Sequence, residues 1–558
     1  MKFKRINTGK RKITLFIMVL VLVPAFLIGG GKTEQGKAQI DQRPTDTLIV
    51  AIQATPPGID LDLTSGPQTW IVGAQVWETG LNFEQIPYPF EPLEFADPTK
   101  VPGFSFPDLD ISKVKPGLIE SFEMSSDNKV VTYNLRKGVY SYYGNELTSE
   151  DVLWTVERAI AIAGNGLFFY NFVGVADRNM WEAVDRYTVK ITSPNPIPMA
   201  GVFNTHLFYK FIDSVEAKKH TSKDDPWATK WIAFNDASFG PYHITIWEPG
   251  SRIELEANKN YWQGEPQIKR IVFRVVPESG DRLALLKNGV IDIAEGLSPD
   301  ELLSLKGVPN VLPVSWRGVI MNYLVMNNDH PPFNNVKVRQ AINCAIPREE
   351  IVRDIYGGLA NPFQGPTPSI FPSAGFVERH EYDFNLDKAK RLLTEAGFGK
   401  GLKLELAYSA ADSINEQIAI YLQSIFKEIN IDLSLRKMPV TALQDYVWSG
   451  TATFAFWADA GFFPDSGFVS SACYLSPSGN FQNYGNPEYI KLVNEGKSIT
   501  DISERVEFYS KVQDIIYHDS PIAWIVEPVN MLGVSKRVQG LATGLFPVYL
   551  IREMSLTN

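Results

Sequence analysis

IVFRVVPESGDRLALLKNGVIDIA, Ile271 to Ala294, is the stretch from which the architecture can be read. Ile271 to Val276 is a β-branched and aromatic run with the composition of a strand. Ser279 can cap a short helix that ends at Asn288-Gly289, and Val290 to Ala294 is apolar again, completing a βαβ unit. The pattern returns downstream, where Leu402, Leu404 and Leu406 alternate, a helix follows, and Ile431, Leu433 and Leu435 alternate. The intervening helix carries Ile418, Leu422, Ile425, Phe426 and Ile429 on one face and stops at Asn430. This half of the chain is α/β.

Toward the N-terminus the style is richer in strands. Asp46 to Ile52 is a first strand, Ala54 to Trp70 a loop full of proline and glycine, and Ile71 to Leu81 a helix. Glu84 to Pro116, dense in proline and carboxylates, is expected to run irregularly over the surface. Val130 to Leu135 is a strand, and Thr148 can cap a helix with Asp151 in its first turn. After a helix at Ile502 to Tyr517 the chain is apolar and then returns to strands and turns. A chain of 558 residues exceeds one core. The expected arrangement is therefore a two-lobed α/β fold: residues 46–277 in the first lobe, 278–522 in the second, and 523–558 returning to the first. The crossings would fall near Val276 and Ile522 and act as a hinge.

Residues 1–31 are different in kind. Six Lys and Arg side chains precede an apolar run from Ile13 to Ile28, and Gly29 to Gly31 follow, in the order of a signal peptide. A retained membrane anchor is the competing reading, although the run is short and broken by Pro24. The segment carries no acidic side chain, so the remainder is more acidic than the full chain's net charge of −10. Such a surface argues against nucleic acid as a partner. The only cysteines, Cys344 and Cys473, are read as buried free thiols. The six histidines show no zinc spacing, and there is no Gly-x-Ser-x-Gly elbow, phosphate loop or dinucleotide fingerprint. No cofactor or metal is expected, and binding is favoured over catalysis.

TATFAFWADAGFFPDSGF, Thr451 to Phe468, is the candidate functional stretch. An apolar strand stops at one carboxylate, Asp459, before the turn residues Gly461, Pro464 and Gly467. A carboxylate where a buried strand gives way to a loop needs a partner. That partner is either backbone N–H groups of the turn or a ligand.

Several motifs in order resemble the family 5 extracellular solute-binding proteins, the dipeptide, oligopeptide and nickel receptors of ABC importers. Leu135-Arg-Lys-Gly138 followed by Thr148-Ser-Glu-Asp-Val152 is similar to the family's strand end and helix start. Gly240-Pro-Tyr242, Asn258-Lys-Asn-Tyr-Trp262, Gly289-Val-Ile-Asp292 and Val338-Arg-Gln-Ala-Ile342 match further motifs. The resemblance implies a periplasmic-binding-protein-like fold whose lobes close on a ligand. It also implies an exported, non-enzymatic receptor, a short peptide as ligand, and a membrane permease with its ATPase as partners. In peptide-binding members an aspartate at the place of Asp459 binds the α-ammonium group. Trp457 and Phe456 beside it, and Ser65, Gly66, Gln68 and Trp70 in the first lobe, are the other residues the resemblance puts at the ligand.

Three departures stand out. The family's tryptophan usually lies three residues before the aspartate, where this chain has Phe456, with Trp457 next. No cysteine follows the signal segment, so the resemblance does not extend to the common lipid anchor. The excursion at 84–116 is long for the family and is placed near the cleft mouth. The protein is expected to be monomeric. An oligosaccharide receptor of the same fold is the first rival, and a secreted hydrolase with a spatial carboxylate pair, or a chaperone-like scaffold, comes from another class.

Overall fold

Thr47–Ile52 forms β1, whose alternating apolar residues are buried, and the first sheet is built around it. The computed structural model describes residues 44–558 except 198, 200–202, 372–375, 477–478 and 545. The expected signal segment lies outside the described residues. After β1 the loop at 54–66 leads to α1 (Pro67–Val76). It is held by a buried charge cluster in which Arg158 pairs with Asp60 and Asp62, and Lys210 Nζ lies 3.0 Å from Asp62 Oδ1. Two cations and two carboxylates offset each other's desolvation there.

A four-stranded antiparallel sheet follows: β2 (Ile119–Met124), β3 (Val130–Leu135), β4 (Trp181–Asp185) and β5 (Thr188–Thr192), in the order β2-β3-β5-β4. Between β3 and β4 run α2 (Ser149–Ile162) and α3 (Asn165–Phe172). Thr148 stands at the N-cap of α2 as expected, and the structure adds a capping box with Asp151, the Thr148 N–H lying 2.8 Å from Asp151 Oδ2. The chain then rejoins the first sheet with β6 (Tyr242–Glu248), β7 (Arg252–Ala257) and β8 (Arg270–Val275).

The βαβ unit places α4 (Ser279–Lys287) between β8 and β9 (Ile293–Ala294), and both strands flank β1 in parallel. Asp292 anchors this return by accepting from the Ile49 N–H (3.0 Å) and from Arg537 (3.2 Å). The stretch read as the start of the second lobe thus completes the first sheet. β10 (Val311–Trp316) lies at its edge, and the order is β6-β7-β8-β1-β9-β17-β10, where β17 is Asn530–Ser535.

A second, six-stranded sheet contains β11 (Ile320–Met326), β12 (Ala360–Pro362), β13 (Leu402–Ser409), β14 (Ile431–Met438), β15 (Phe454–Ala460) and β16 (Ile522–Pro528), in the order β12-β16-β11-β15-β13-β14. The helix α5 (Ser413–Glu428) joins the parallel pair β13 and β14. Arg339 and Arg348 of the Val338-to-Glu350 region are buried and donate to backbone carbonyls, Arg339 to Phe333 O (2.7 Å) and Arg348 to Trp524 O (3.0 Å) and Tyr382 O (2.8 Å). Cys344 and Cys473 are buried free thiols.

The passages between the two large sheets are Arg317–Gly318–Val319, from β10 to β11, and the single residue Val529, from β16 to β17. They differ from the crossings expected near Val276 and Ile522. After β8 the chain returns to β1 instead of leaving it, and β16 still belongs to the second sheet. At Gly318 a Cβ would come within 2.9 Å of the Asn530 side-chain amide, a crowding that a shift of that side chain relieves. The excursion at 84–116 packs against the same place. The Arg317 N–H donates to the Tyr88 hydroxyl (2.9 Å), its guanidinium lies 4.9 Å over the Phe90 ring, and the Ser315 N–H donates to Ala96 O (2.8 Å).

Candidate functional site

β15 runs in the middle of the second sheet, antiparallel to β11 on one side and parallel to β13 on the other. Its residues alternate between faces. Phe454 and Phe456 are buried in the core, so the structure puts Phe456 at a packing position. Trp457 and Asp459 share the other face and are only partly covered. The Trp457 ring packs against Trp448 of α6 (Val440–Trp448) at 6.2 Å and against Phe481 at 5.5 Å.

Asp459 sits opposite Met321, one residue before the strand ends beside the passage at 317–319, where the Gly461 N–H donates to Val319 O (3.0 Å). Oδ1 accepts from the Ala460 N–H at 2.9 Å, and the Cys473 thiol also donates to the carboxylate. Among the described residues no cation pairs with it. Burial outweighs these two hydrogen bonds and pushes the carboxyl up to about 6. Asp465, six residues on, is its opposite. It caps α7 (Ser466–Ala472) through the Phe468 N–H (2.7 Å) and meets Arg505 with Nε 2.6 Å from Oδ2 and Nη2 2.9 Å from Oδ1.

Facing this loop is the start of α1. Gly66 has φ of 136°, a conformation open to glycine, and Pro67 opens the helix. Ser65 is exposed, and Gly66 and Gln68 are partly buried. Gln68 lines a cavity of about 170 Å³ with Glu295, Trp316, Asn530 and Tyr549. Trp316 and Asn530 are the residues flanking the two passages. Neither Trp316 Nε1 nor Asn530 Nδ2 has a hydrogen-bond partner among the described residues. Burial raises the Glu295 carboxyl to about 7, against the hydrogen bond that it accepts from the Tyr549 hydroxyl.

Trp70 meets the loop after Asp459 directly. Its ring lies 6.0 Å from Phe462, edge to face, and 4.9 Å from Phe546. Phe462 and Phe463 also contact Phe169 of α3 at 5.6 and 6.2 Å, and Phe463 lies 4.9 Å from His206. Of the expected residues, Trp70 reaches the segment following Asp459, while Phe456 and Trp457 are engaged elsewhere. Glu295, Trp316, Asn530 and Phe462 were not singled out from the sequence; the aromatic pair after Gly461 was the one visible signal.

Two sheets joined by two short passages have the build of a two-lobed solute-binding protein. The model of the bacterial extracellular solute-binding proteins, family 5, matches residues 113–481, and the chain belongs to that family. It is 26% identical over 522 residues to the "Probable D,D-dipeptide-binding periplasmic protein DdpA" of Escherichia coli, covering 92% of this chain and 95% of that one. It is also 26% identical to Heme-binding protein A of Haemophilus influenzae, over 78% of this chain and 82% of the relative. The fold is that of the periplasmic binding protein DppA from Helicobacter pylori in complex with peptide STSA, with a TM-score of 0.76 at 23% identity over 92% and 98% of the two chains.

Proposed function

We propose that this protein is the exported, monomeric receptor of an ABC importer, which captures short peptides and passes them unchanged to a membrane permease. One relative named for heme and another for a D,D-dipeptide show that family membership alone does not select the ligand. The observation that carries the peptide reading is Asp459, a desolvated carboxylate without a cation at the end of β15. An α-ammonium group would supply the missing charge, whereas a sugar hydroxyl would leave the carboxylate unneutralised. The peptide-bound neighbour of the same fold supports this reading.

The same proposal assigns the lobes. Residues 44–316 and 530–558 form the first and 320–528 the second, with the two passages as the hinge. Ser65, Gly66, Gln68 and Trp70 then line the cleft from the first lobe, opposite Asp459.

The test is thermal unfolding of the chain begun near Lys32, with a pool of short peptides and with the same pool N-acetylated. A ligand at about a hundred times its Kd adds roughly 2.7 kcal/mol of native stability. Stabilisation by the free-amine pool alone supports the ammonium anchor. If neither pool shifts the transition, the peptide assignment fails.

A further inference from the structure

The cavity that Gln68 lines holds a second acid. Glu295, which directly follows β9, is the only charged residue among those lining it. Its backbone is held on both sides: the N–H donates to Ala51 O (3.1 Å), and the carbonyl accepts from Arg282 Nε (2.6 Å). Glu295 itself is partly exposed, and Gln53 and Gly296 at the rim are exposed, so the cavity opens to solvent. Oε1 accepts from the Tyr549 hydroxyl. Oε2 accepts from no group among the described residues, and it is not closed to solvent.

No cation pairs with this carboxylate among the described residues. Arg282, on α4, is turned to the backbone instead, donating to the carbonyls of Val276 (2.6 Å) and Gly296 (2.8 Å) as well as that of Glu295. Burial raises the Glu295 carboxyl to about 7, since Tyr549 and Arg282 offset only part of its desolvation. A cation brought to Oε2 would offset the rest.

The size of the cavity says what carries that cation. At about 170 Å³ it is smaller than the roughly 300 Å³ at which sites for a whole small molecule begin, so it suits one side chain of a ligand held elsewhere. Ile71, Met531 and Leu532 line it beside the carboxylate, an apolar surface for a methylene stem. The holding group is near. Trp316, in the cavity wall, directly precedes the passage Arg317–Gly318–Val319, and Val319 O accepts from the Gly461 N–H (3.0 Å), two residues after Asp459. Three residues of chain span at most about 10 Å, the reach of an extended tripeptide.

We propose that Glu295 makes this cavity a side-chain subsite for a basic residue of the peptide, an ammonium on an aliphatic stem such as that of lysine, while Asp459 holds the α-ammonium group. The assignment rests on the peptide reading above and adds a preference to it.

The experiment is calorimetric titration of the full chain with trialanine and with analogues carrying lysine, Nε-acetyl-lysine or methionine at each of the three positions in turn. At one position lysine should bind about tenfold tighter than methionine, the effect of one charge-assisted hydrogen bond to a desolvated carboxylate. Acetyl-lysine, which keeps the stem and loses the charge, should bind like methionine in the unaltered chain. In Glu295→Gln, which keeps an oxygen for the Tyr549 hydroxyl, the ratio of lysine to methionine affinity should fall to about one. Equal affinity for lysine and methionine at every position, while the peptides still bind, overturns the subsite and leaves the peptide reading standing. The same holds for a lysine gain of equal size at all three positions, which reports the acidic surface alone, and for a gain that persists in Glu295→Gln. If no peptide binds, both readings fall.

Discussion

Arg317 Nη2 lies 3.9 Å from Glu527 Oε2, so the two passages between the sheets are tied by one ion pair across their strand ends. Ser369 completes the tie: its N–H donates to Glu527 Oε1 at 2.7 Å, and its hydroxyl, itself receiving from Arg317, donates to Oε2. Burial nevertheless raises the Glu527 carboxyl to about 7, since the hydrogen bonds and the arginine offset only part of its desolvation.

The sign of the resulting pH dependence is fixed. A carboxyl whose folded pKa lies above its unfolded value stabilises the fold fully below about 4.5, and that stabilisation is lost as pH rises through about 7. Glu295 behaves alike. Melting temperatures of the ligand-free protein should therefore fall between pH 5 and pH 8 through these groups, and Glu527→Gln should remove one proton's share of that slope. An unchanged slope in the variant would reject the assignment.

Asp459→Asn should separate stability from binding. Burial holds the Asp459 carboxyl at about 6, well above its ordinary range, so the ionised form carries a penalty on the order of 3 kcal/mol in the ligand-free protein at neutral pH. The amide removes that penalty and raises the melting temperature, while peptide affinity falls by a hundredfold or more. Denaturant melts and calorimetry on the same sample check both directions.

Peptide affinity itself should fall as the solution is acidified. Below about 6 the Asp459 carboxyl of the ligand-free protein takes up a proton, and under the proposed ammonium pairing each further pH unit costs about tenfold in Kd as long as the ammonium stays charged. Titrations from pH 7.5 to 4.5 should show that bend, and Asp459→Asn should abolish it.

Arg505→Met should be among the more damaging single changes. It leaves Asp465, 4% exposed, without its partner, and removes the Arg505 donation to Gly496 O (2.7 Å). A loss of about 3–5 kcal/mol in unfolding free energy is expected. Asp465→Asn combined with it should recover part of the loss, which a double-mutant cycle would measure.

What could be read from the residues, and what could not, divides along the range of the interactions. The βαβ unit around Ser279, the Thr148–Asp151 cap and the strand ending near Asp459 depend on neighbours a few positions away. Sheet membership does not. Ile293 pairs beside Val50, some 240 residues earlier in the chain, and no local pattern announces this, which is why the crossing was expected 40 residues too early. Phe456 and Trp457 show the same limit at small scale. The composition marks both as aromatic, but only the pairing of β15 with β11 and β13 decides which one faces the core. The cavity at Gln68 draws Glu295, Trp316 and Asn530 from three distant segments, each unremarkable where it stands.

The passages lie next to each other as continuations of two antiparallel pairs, β10 with β17 and β11 with β16, and one of them is a single residue. Together they make one short seam between the two sheets. Under the proposed hinge the halves would open about this one narrow seam, like a door on one pin. A ligand too long for the cleft would then prop the halves ajar, so length would be read at the free edge, where the opening is widest, as an angle.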